Sequence, residues 1–189
     1  MTRELVLASA SPRRRELLES AGWKVMVRPA NVDETPLPDE PAADHVLRLA
    51  RAKAAAISTA EVVLGADTIV ELDGDLLGKP RDDAHARVML TRLSGRAHHV
   101  LTGVCLRQGA REAAAVETTR VVFAPLTPAE IDDYMASGEP HGKAGAYAIQ
   151  GRAACFIPRI EGSYSNVVGL PLELVWRIWC DLAAARPRQ

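Results

Sequence analysis

The first fifteen residues constrain the fold more than any other stretch of this chain. Leu5–Ala8 is a short, continuous apolar run, the pattern of a strand buried on both faces. Small residues follow. Ser11-Pro12 then sets a helix start, because serine is a favoured N-cap and proline suits the first helical position. A buried strand feeding straight into a helix is how an α/β fold opens. The first helical turn reads Arg13-Arg14-Arg15, although cations there oppose the helix dipole. A local rule broken so openly marks a place where another requirement has won. Backbone N–H groups at the helix start, the hydroxyls of Ser9 and Ser11, and the guanidinium forks of Arg13 and Arg14 together suit a phosphate-like anion. The competing reading is a plain N-cap with a solvated basic turn.

The rest of the chain alternates strand and helix patterns. The first helix should stop at Gly22, and Trp23–Val27 alternates like a strand. Pro29 to Pro41 holds four prolines together with Asp33, Glu34, Asp39 and Glu40, so it reads as an ordered loop. A helix is expected over Ala42–Ser58 and a second buried strand over Val62–Gly65. Thr68–Leu72 and Asp75–Leu77 flank Asp73-Gly74, a strong hairpin signal. Asp82–Leu93 reads as a helix. Arg96–Arg107 and Glu112–Phe123 read as long strands joined around Gly109. Thr127-Pro128-Ala129-Glu130 has the capping-box pattern, with a helix running to about Ser137. Cys155–Ile160 is expected as a strand and Pro171–Ala185 as a final helix. Interleaved elements with at least two antiparallel pairs favour a mixed-sheet α/β fold.

Size and charge narrow the function. At 189 residues the chain fits one domain, 1–189. With 48% hydrophobic and 25% charged residues it is neither disordered nor collagen-like. A net charge of −1 counts against a nucleic-acid polymer as partner. No apolar run is long enough to span a membrane or to serve as a signal-peptide core, so a cytoplasmic location is expected. Cys105, Cys155 and Cys180 are too far apart for a zinc ribbon or a C-x-x-C pair. They read as small buried hydrophobes in a reducing compartment.

Several residues could carry chemistry. Placed on a helix at 100° per residue, Lys53 falls within the apolar arc around Leu49 and Val46. It must snorkel out, pair with a carboxylate or meet a ligand. Asp67 ends the apolar run Leu64-Gly65-Ala66, where α/β enzymes place catalytic groups. With Glu34 and Asp33 it could hold a divalent metal, since magnesium takes one or two carboxylates plus substrate phosphates. Gly78-Lys79-Pro80 could offer another lysine to phosphate. Gln150 has an amide able to read a base edge. Each has an ordinary structural reading beside it: a turn aspartate, solvated acids, a surface turn, loop packing. No phosphate-binding P-loop, dinucleotide fingerprint or serine-nucleophile elbow occurs. His98-His99 point to opposite faces of a strand, and all five histidines read as surface or capping residues.

Taken in order, these motifs resemble the Maf family of nucleoside triphosphate pyrophosphatases. The resemblance runs from Leu5 to about Leu174. It is carried by Ser9-Ala10-Ser11-Pro12-Arg13-Arg14, Asp33-Glu34, Arg48-Leu49-Ala50 through Lys53-Ala54, and Leu64-Gly65-Ala66-Asp67-Thr68. It continues with Gly78-Lys79-Pro80, Leu93-Ser94-Gly95, Lys143-Ala144-Gly145-Ala146-Tyr147, Ile149-Gln150-Gly151, and Gly162-Ser163-Tyr164 through Val168-Gly169-Leu170-Pro171. It implies an ITPase/Maf-like, two-lobed α/β fold around a long mixed β-sheet with flanking helices, and an active site in the cleft between lobes. It implies hydrolysis of a nucleoside triphosphate to monophosphate and pyrophosphate with a divalent metal, Mg2+ or Mn2+. Asp67 would be the proton acceptor, with Glu34 and Asp67 at the metal. Arg13, Thr68 and Gln150 would select the base, and Ser9, Ser11, Arg14, Lys53 and Lys79 would surround the phosphates.

Pro12-Arg13-Arg14, Gly65-Ala66-Asp67-Thr68 and Ile149-Gln150-Gly151 side with the branch of the family that acts on dTTP and UTP. The 7-methyl-GTP branch carries a tryptophan after the proline, Gly-Ser-Asp-Gln and Ser-Glu-Gly at these places. Ala148 and Gly142 depart from the residues frequent there. The alternative of another class is a nucleotide-binding regulator of cell division without turnover. Glu34 and Asp67 count against it, since a pure binder gains nothing from acids near phosphates. The resemblance also allows a homodimer, for which the sequence shows no interface pattern.

Overall fold

The computed structural model describes residues 3–184. The elements run β1 (Glu4–Leu7), α1 (Pro12–Ser20), β2 (Lys24–Val27), α2 (Ala42–Ala55), β3 (Val63–Leu72), β4 (Asp75–Leu77) and α3 (Asp83–Leu93). They continue with β5 (Ala97–Gln108), β6 (Arg111–Val122), α4 (Pro128–Ala136), β7 (Arg159–Glu161), α5 (Tyr164–Val168) and α6 (Leu172–Ala184). The strands form one seven-stranded sheet in the order β2-β1-β3-β5-β6-β7, with β4 paired to β3. β1 is parallel to β2 and β3, whereas β3–β4 and β6–β7 are antiparallel. The expected mixed α/β fold with flanking helices is what forms. Among the described residues no helix is long and apolar enough to cross a membrane.

The chain divides into two compact units. The first takes the described parts of Met1–Thr68, Thr102–Glu117 and Gly169–Gln189; the second takes Ile69–Leu101 and Thr118–Val168. In the first unit the period of two along β1 sorts its side chains. Leu5 and Leu7 pack with Leu18 of α1 and with Leu174, Val175 and Ile178 of α6. Val6 packs on the other side with Ala50 and Ala54 of α2. Both faces are covered, which is why this strand reads as a continuous apolar run. In the second unit Met89, Leu90 and Leu93 of α3 and Ile131 and Tyr134 of α4 pack with Val70, Val100, Val121 and Phe123 from the strands.

Local signals held where a turn demanded them. Asp73 and Gly74 both take positive φ in the β3–β4 hairpin. Thr127 and Glu130 form a complete capping box. Other readings need correction. Val62–Gly65 and Thr68–Leu72 are one continuous strand, β3, so Asp67 lies within a strand and not at its end. The helix expected to reach Ser58 ends at Ala55. Cys155–Ile160 is not one strand: a 3-10 turn covers Arg152–Phe156, and only Arg159–Glu161 joins the sheet. Glu139 accounts for this, because its carboxylate accepts the Arg152 N–H and so starts the turn. A further short helix, α5, has no counterpart in the sequence reading. The end of the final helix at Ala185 lies outside the described residues.

Cys105 is buried, but Cys155 and Cys180 are exposed. His45 and His98 are buried and not surface residues. Each has a polar partner that makes burial tolerable.

Candidate active site

The site begins with two missing side chains. Gly65 on β3 and Gly103 on β5 let helix α2 press onto the sheet. A Cβ at Gly65 would stand 2.1 Å from the Ala50 carbonyl oxygen, and one at Gly103 2.2 Å from that of Val46. Asp67 is two residues beyond Gly65 and shares its face of the strand. The close approach at Gly65 therefore brings Asp67 within reach of α2. Lys53, on the buried side of that helix, donates to Asp67 Oδ1 at 2.6 Å. Its ammonium also lies 2.5 Å from Glu34 Oε1. Of the three outcomes open to an apolar-face lysine, the carboxylate pair is the one that occurs. Lys53 and Asp67 are 6% and 8% exposed, a depth at which unpaired charges would be strongly disfavoured.

Arg14 is buried at the start of α1. Its Nε donates to the Gly169 carbonyl at 2.9 Å. Nη1 donates to Ser9 Oγ at 3.1 Å and to the Ala66 carbonyl at 2.8 Å, and Nη2 donates to Thr68 Oγ1 at 3.0 Å. At least four of its five N–H donors thus go to Ser9 just beyond β1, to Ala66 and Thr68 within β3, and to Gly169. Burial lowers its pKa, partly offset by the Asp67 charge. Two of its acceptors, Ala66 and Thr68, flank Asp67 in sequence. The Thr68 hydroxyl is also within 2.9 Å of Thr102 Oγ1 and donates to the Gly169 carbonyl at 3.3 Å. This explains the basic first turn: one of its arginines turns inward and ties the residue beyond β1 to the middle of β3 and to Gly169.

Ser9 Oγ accepts from Arg14 and from the Ser11 N–H at 3.2 Å, which leaves its own O–H proton to offer a ligand. Ser11 is the N-cap but makes no side-chain capping bond. Arg13 is half-buried at the second position of the helix.

Glu34 stands on the loop between β2 and α2. Asp33 Oδ1 accepts the Thr35 N–H at 2.9 Å, and bonding to Thr35 lowers the Asp33 pKa. Asp33 thus closes a local turn beside Glu34. Further along, both carboxylate oxygens of Glu40 meet the guanidinium of Arg48, at 2.5 and 2.7 Å. His45 Nδ1 lies 2.9 Å from Glu40 Oε2. The Arg48 fork, followed by the Leu37 N–H and His45, holds the Glu40 pKa well below the usual carboxylate range. An ionised carboxylate only accepts, so His45 carries its hydrogen on Nδ1. Sequence reasoning missed Glu40, His45 and Thr102, and gave Arg48 no role. The available signal was the spacing of His45 and Arg48, three apart on one helix face.

The first unit therefore brings together Ser9, Ser11, Arg13, Arg14, Glu34, Lys53, Asp67 and Thr68. Lys79 and Gln150 belong to the second unit, and both are exposed. Lys79 follows Gly78, whose carbonyl accepts the Gly145 N–H at 3.1 Å. Gln150 precedes Gly151, where a Cβ would stand 2.1 Å from a Glu139 carboxylate oxygen. No group of three or more His, Cys, Asp or Glu side chains suited to a metal occurs among the described residues. Glu34 and Asp67 nevertheless aim carboxylate oxygens at one cation, the Lys53 ammonium. Two carboxylates around one cation position fit a hard, oxygen-seeking divalent ion whose other ligands are waters and phosphates.

The chain matches the family described as Maf-like protein over residues 4–181. It is 59% identical over 177 residues to the dTTP/UTP pyrophosphatase of Anaeromyxobacter sp. (strain Fw109-5), covering 91% of this chain and 86% of that one. It is 50% identical over 195 residues to the dTTP/UTP pyrophosphatase of Hahella chejuensis (strain KCTC 2396), covering 95% and 96%. Among solved structures, the Staphylococcus aureus Ham1 protein aligns with a TM-score of 0.46 at 17% identity, over 65% of this chain and 72% of that one. That last similarity is too low to carry the fold, which rests on the sheet itself. The match over residues 4–181 and the relatives at 50% and 59% identity are decisive: the chain belongs to the Maf-like family.

Proposed function

We propose that this protein is a nucleoside triphosphate pyrophosphatase that hydrolyses dTTP and UTP, giving the monophosphate and pyrophosphate. The observation that carries the reading is the meeting of Glu34, Lys53 and Asp67, in a chain similar over nine-tenths of its length to proteins named for that activity. The whole chain acts as one functional domain, in the cytoplasm. Three cysteines without a disulfide agree with that reducing compartment.

A triphosphate repels an incoming hydroxide. Ser9, the start of α1, Arg13 and Lys53 offset that charge, most strongly where it builds in the transition state. Lys79 and Ser11 add to phosphate binding, and Arg13, Thr68 and Gln150 select the base. Arg14 serves the phosphates by fixing Ser9 with an N–H bond. Asp67 accepts a proton from the attacking water. A carboxylate is a weak base at neutral pH, so the attacking water must be made more acidic. Glu34 and Asp67 would hold a divalent cation, which when bound would lower the pKa of that water and further neutralise the phosphates. Lys53, which bridges those two carboxylates in this structure, keeps their charges compensated without the cation.

The test is turnover of dTTP, UTP, CTP, GTP, ATP and 7-methyl-GTP with manganese, with products separated by chromatography. Monophosphate and pyrophosphate from dTTP and UTP are expected. Turnover of 7-methyl-GTP alone would overturn the substrate assignment, and binding without turnover would leave a nucleotide-binding regulator.

A further inference from the structure

Glu34 poses a mechanical problem. It stands on an exposed loop, yet its carboxylate meets a buried lysine. A side chain on such a loop keeps its place only if the backbone beside it is anchored. The next residue supplies the anchor. The Thr35 carbonyl accepts from Arg48 Nη2 at 3.2 Å. The same guanidinium grips both oxygens of Glu40, near the loop's far end. The Glu40 side chain is only 7% exposed, and the 4%-exposed His45 side chain backs it. One planar group thus ties the loop to α2 at two points. α2 also carries Lys53, so the loop and the lysine are referenced to the same rigid element.

We propose that Arg48 is a positioning residue: by bridging the Thr35 carbonyl and Glu40 to α2, it sets the Glu34 carboxylate on the Lys53–Asp67 pair. It touches no reacting atom and acts through Glu34. The proposal rests on the reading above of Glu34 and Asp67 as the cation-binding pair. Lysine cannot replace it, because an ammonium is a point donor without the fork that spans Glu40 and Thr35 together.

The test uses the full chain and two readouts other than turnover. One is amide hydrogen exchange over residues 33–35; the other is Mn2+ affinity from water-proton relaxation. Wild type, Arg48→Lys, Glu34→Gln and the double variant are compared. Arg48→Lys should speed loop exchange and weaken Mn2+ binding by about tenfold, as loss of an outer partner of a metal ligand does. In the Glu34→Gln background the same change should add less than about twofold, because it acts through Glu34. Unchanged loop exchange, or losses that multiply in the double variant, would overturn the proposal. Faster exchange with unchanged Mn2+ affinity would overturn it too. Mn2+ affinity unaffected by Glu34→Gln would remove the cation-pair reading, and this proposal with it. Glu40→Gln keeps an acceptor for one arm of the fork. If Arg48→Lys fails to fold, Glu40→Gln carries the same comparison with a smaller expected loss.

Discussion

The two units bury polar groups in different ways. Among the described residues, the interior of the first unit holds Arg14, Lys53 and Asp67, three formal charges. The buried polar residues of the second are His98, Thr119 and Asn166. Asn166 donates to the Val100 carbonyl at 2.9 Å and to Thr119 Oγ1 at 3.0 Å. His98 Nε2 lies 2.8 Å from the Tyr147 hydroxyl, and its ring meets Phe123 and Tyr147 edge-on. Burial, with a smaller contribution from His99, lowers the His98 pKa to about 4, so the ring is neutral at pH 7. Neutral networks of this kind specify packing. Buried charges cost more to keep than a well-packed apolar substitute, so they point to chemistry or to a bracket that only a forked cation can make.

Asp67 carries the charge at the centre of the first unit's interior. Asp67→Asn keeps the shape of the side chain and removes its charge and basicity. Turnover of dTTP should fall by about 10²–10⁴-fold, the usual contribution of a general base. Pyrophosphate release against a matched unfolding curve measures it. Near-normal turnover would make the buried charges of the first unit structural, and the two interiors would then differ only in style.

Arg14→Met comes next and separates the bracket from the reaction. It leaves the Ala66 and Gly169 carbonyls without the guanidinium donor. An unsatisfied buried acceptor costs about 1–3 kcal/mol, so a stability loss of roughly 3–5 kcal/mol is expected in urea unfolding. Arg14→Lys should recover only part of it, since one ammonium cannot reach all four acceptors. A loss below about 1 kcal/mol would show that the bracket is dispensable.

The second unit gives the third test. The folded pKa of His98, about 4, lies below its ordinary value of 6.5. Below pH 6.5 the unfolded chain takes up the proton first, so the unfolded state gains. Stability contributed by the neutral ring is complete above pH 6.5, falls as pH drops, and levels off below pH 4. The full loss is roughly 3 kcal/mol. Unfolding curves at pH 7 and pH 4.5 should show most of it, and His98→Phe should flatten the slope between them. An unchanged slope in the variant would mean that His98 does not set this pH dependence.

What the sequence made legible follows the same division. Ser11-Pro12, Asp73-Gly74 and Thr127–Glu130 act over two to four residues, so their signals survive without tertiary context. The meeting of Lys53 with Asp67 was half visible: the helical pattern showed a lysine in an apolar arc but could not name its partner. Arg14 was read for its charge, whereas its four acceptors come from segments up to 155 residues away in sequence. Arg48 and Glu40 are separated by only eight residues, yet acids in a proline-rich loop look solvated until the loop is seen folded back on α2. Gly65 and Gly103 carry no chemical signal at all, because their role is the space they leave for a helix.

The cap of α4 belongs to the quieter interior. Thr127 caps α4 in the second unit, accepting the Glu130 N–H at 3.3 Å, while the Glu130 carboxylate takes the Thr127 N–H at 2.7 Å. Bonding to Thr127 lowers the Glu130 pKa, so the box is present at neutral pH. Thr127→Ala removes one half of it and should cost about 1 kcal/mol in unfolding free energy. Turnover of dTTP should stay within about twofold, because the change disturbs a helix end and no buried charge. A tenfold fall in turnover with that small loss of stability would mean that the frame of the second unit is coupled to the reaction. The contrast drawn between a chemical interior and an architectural one would then be wrong.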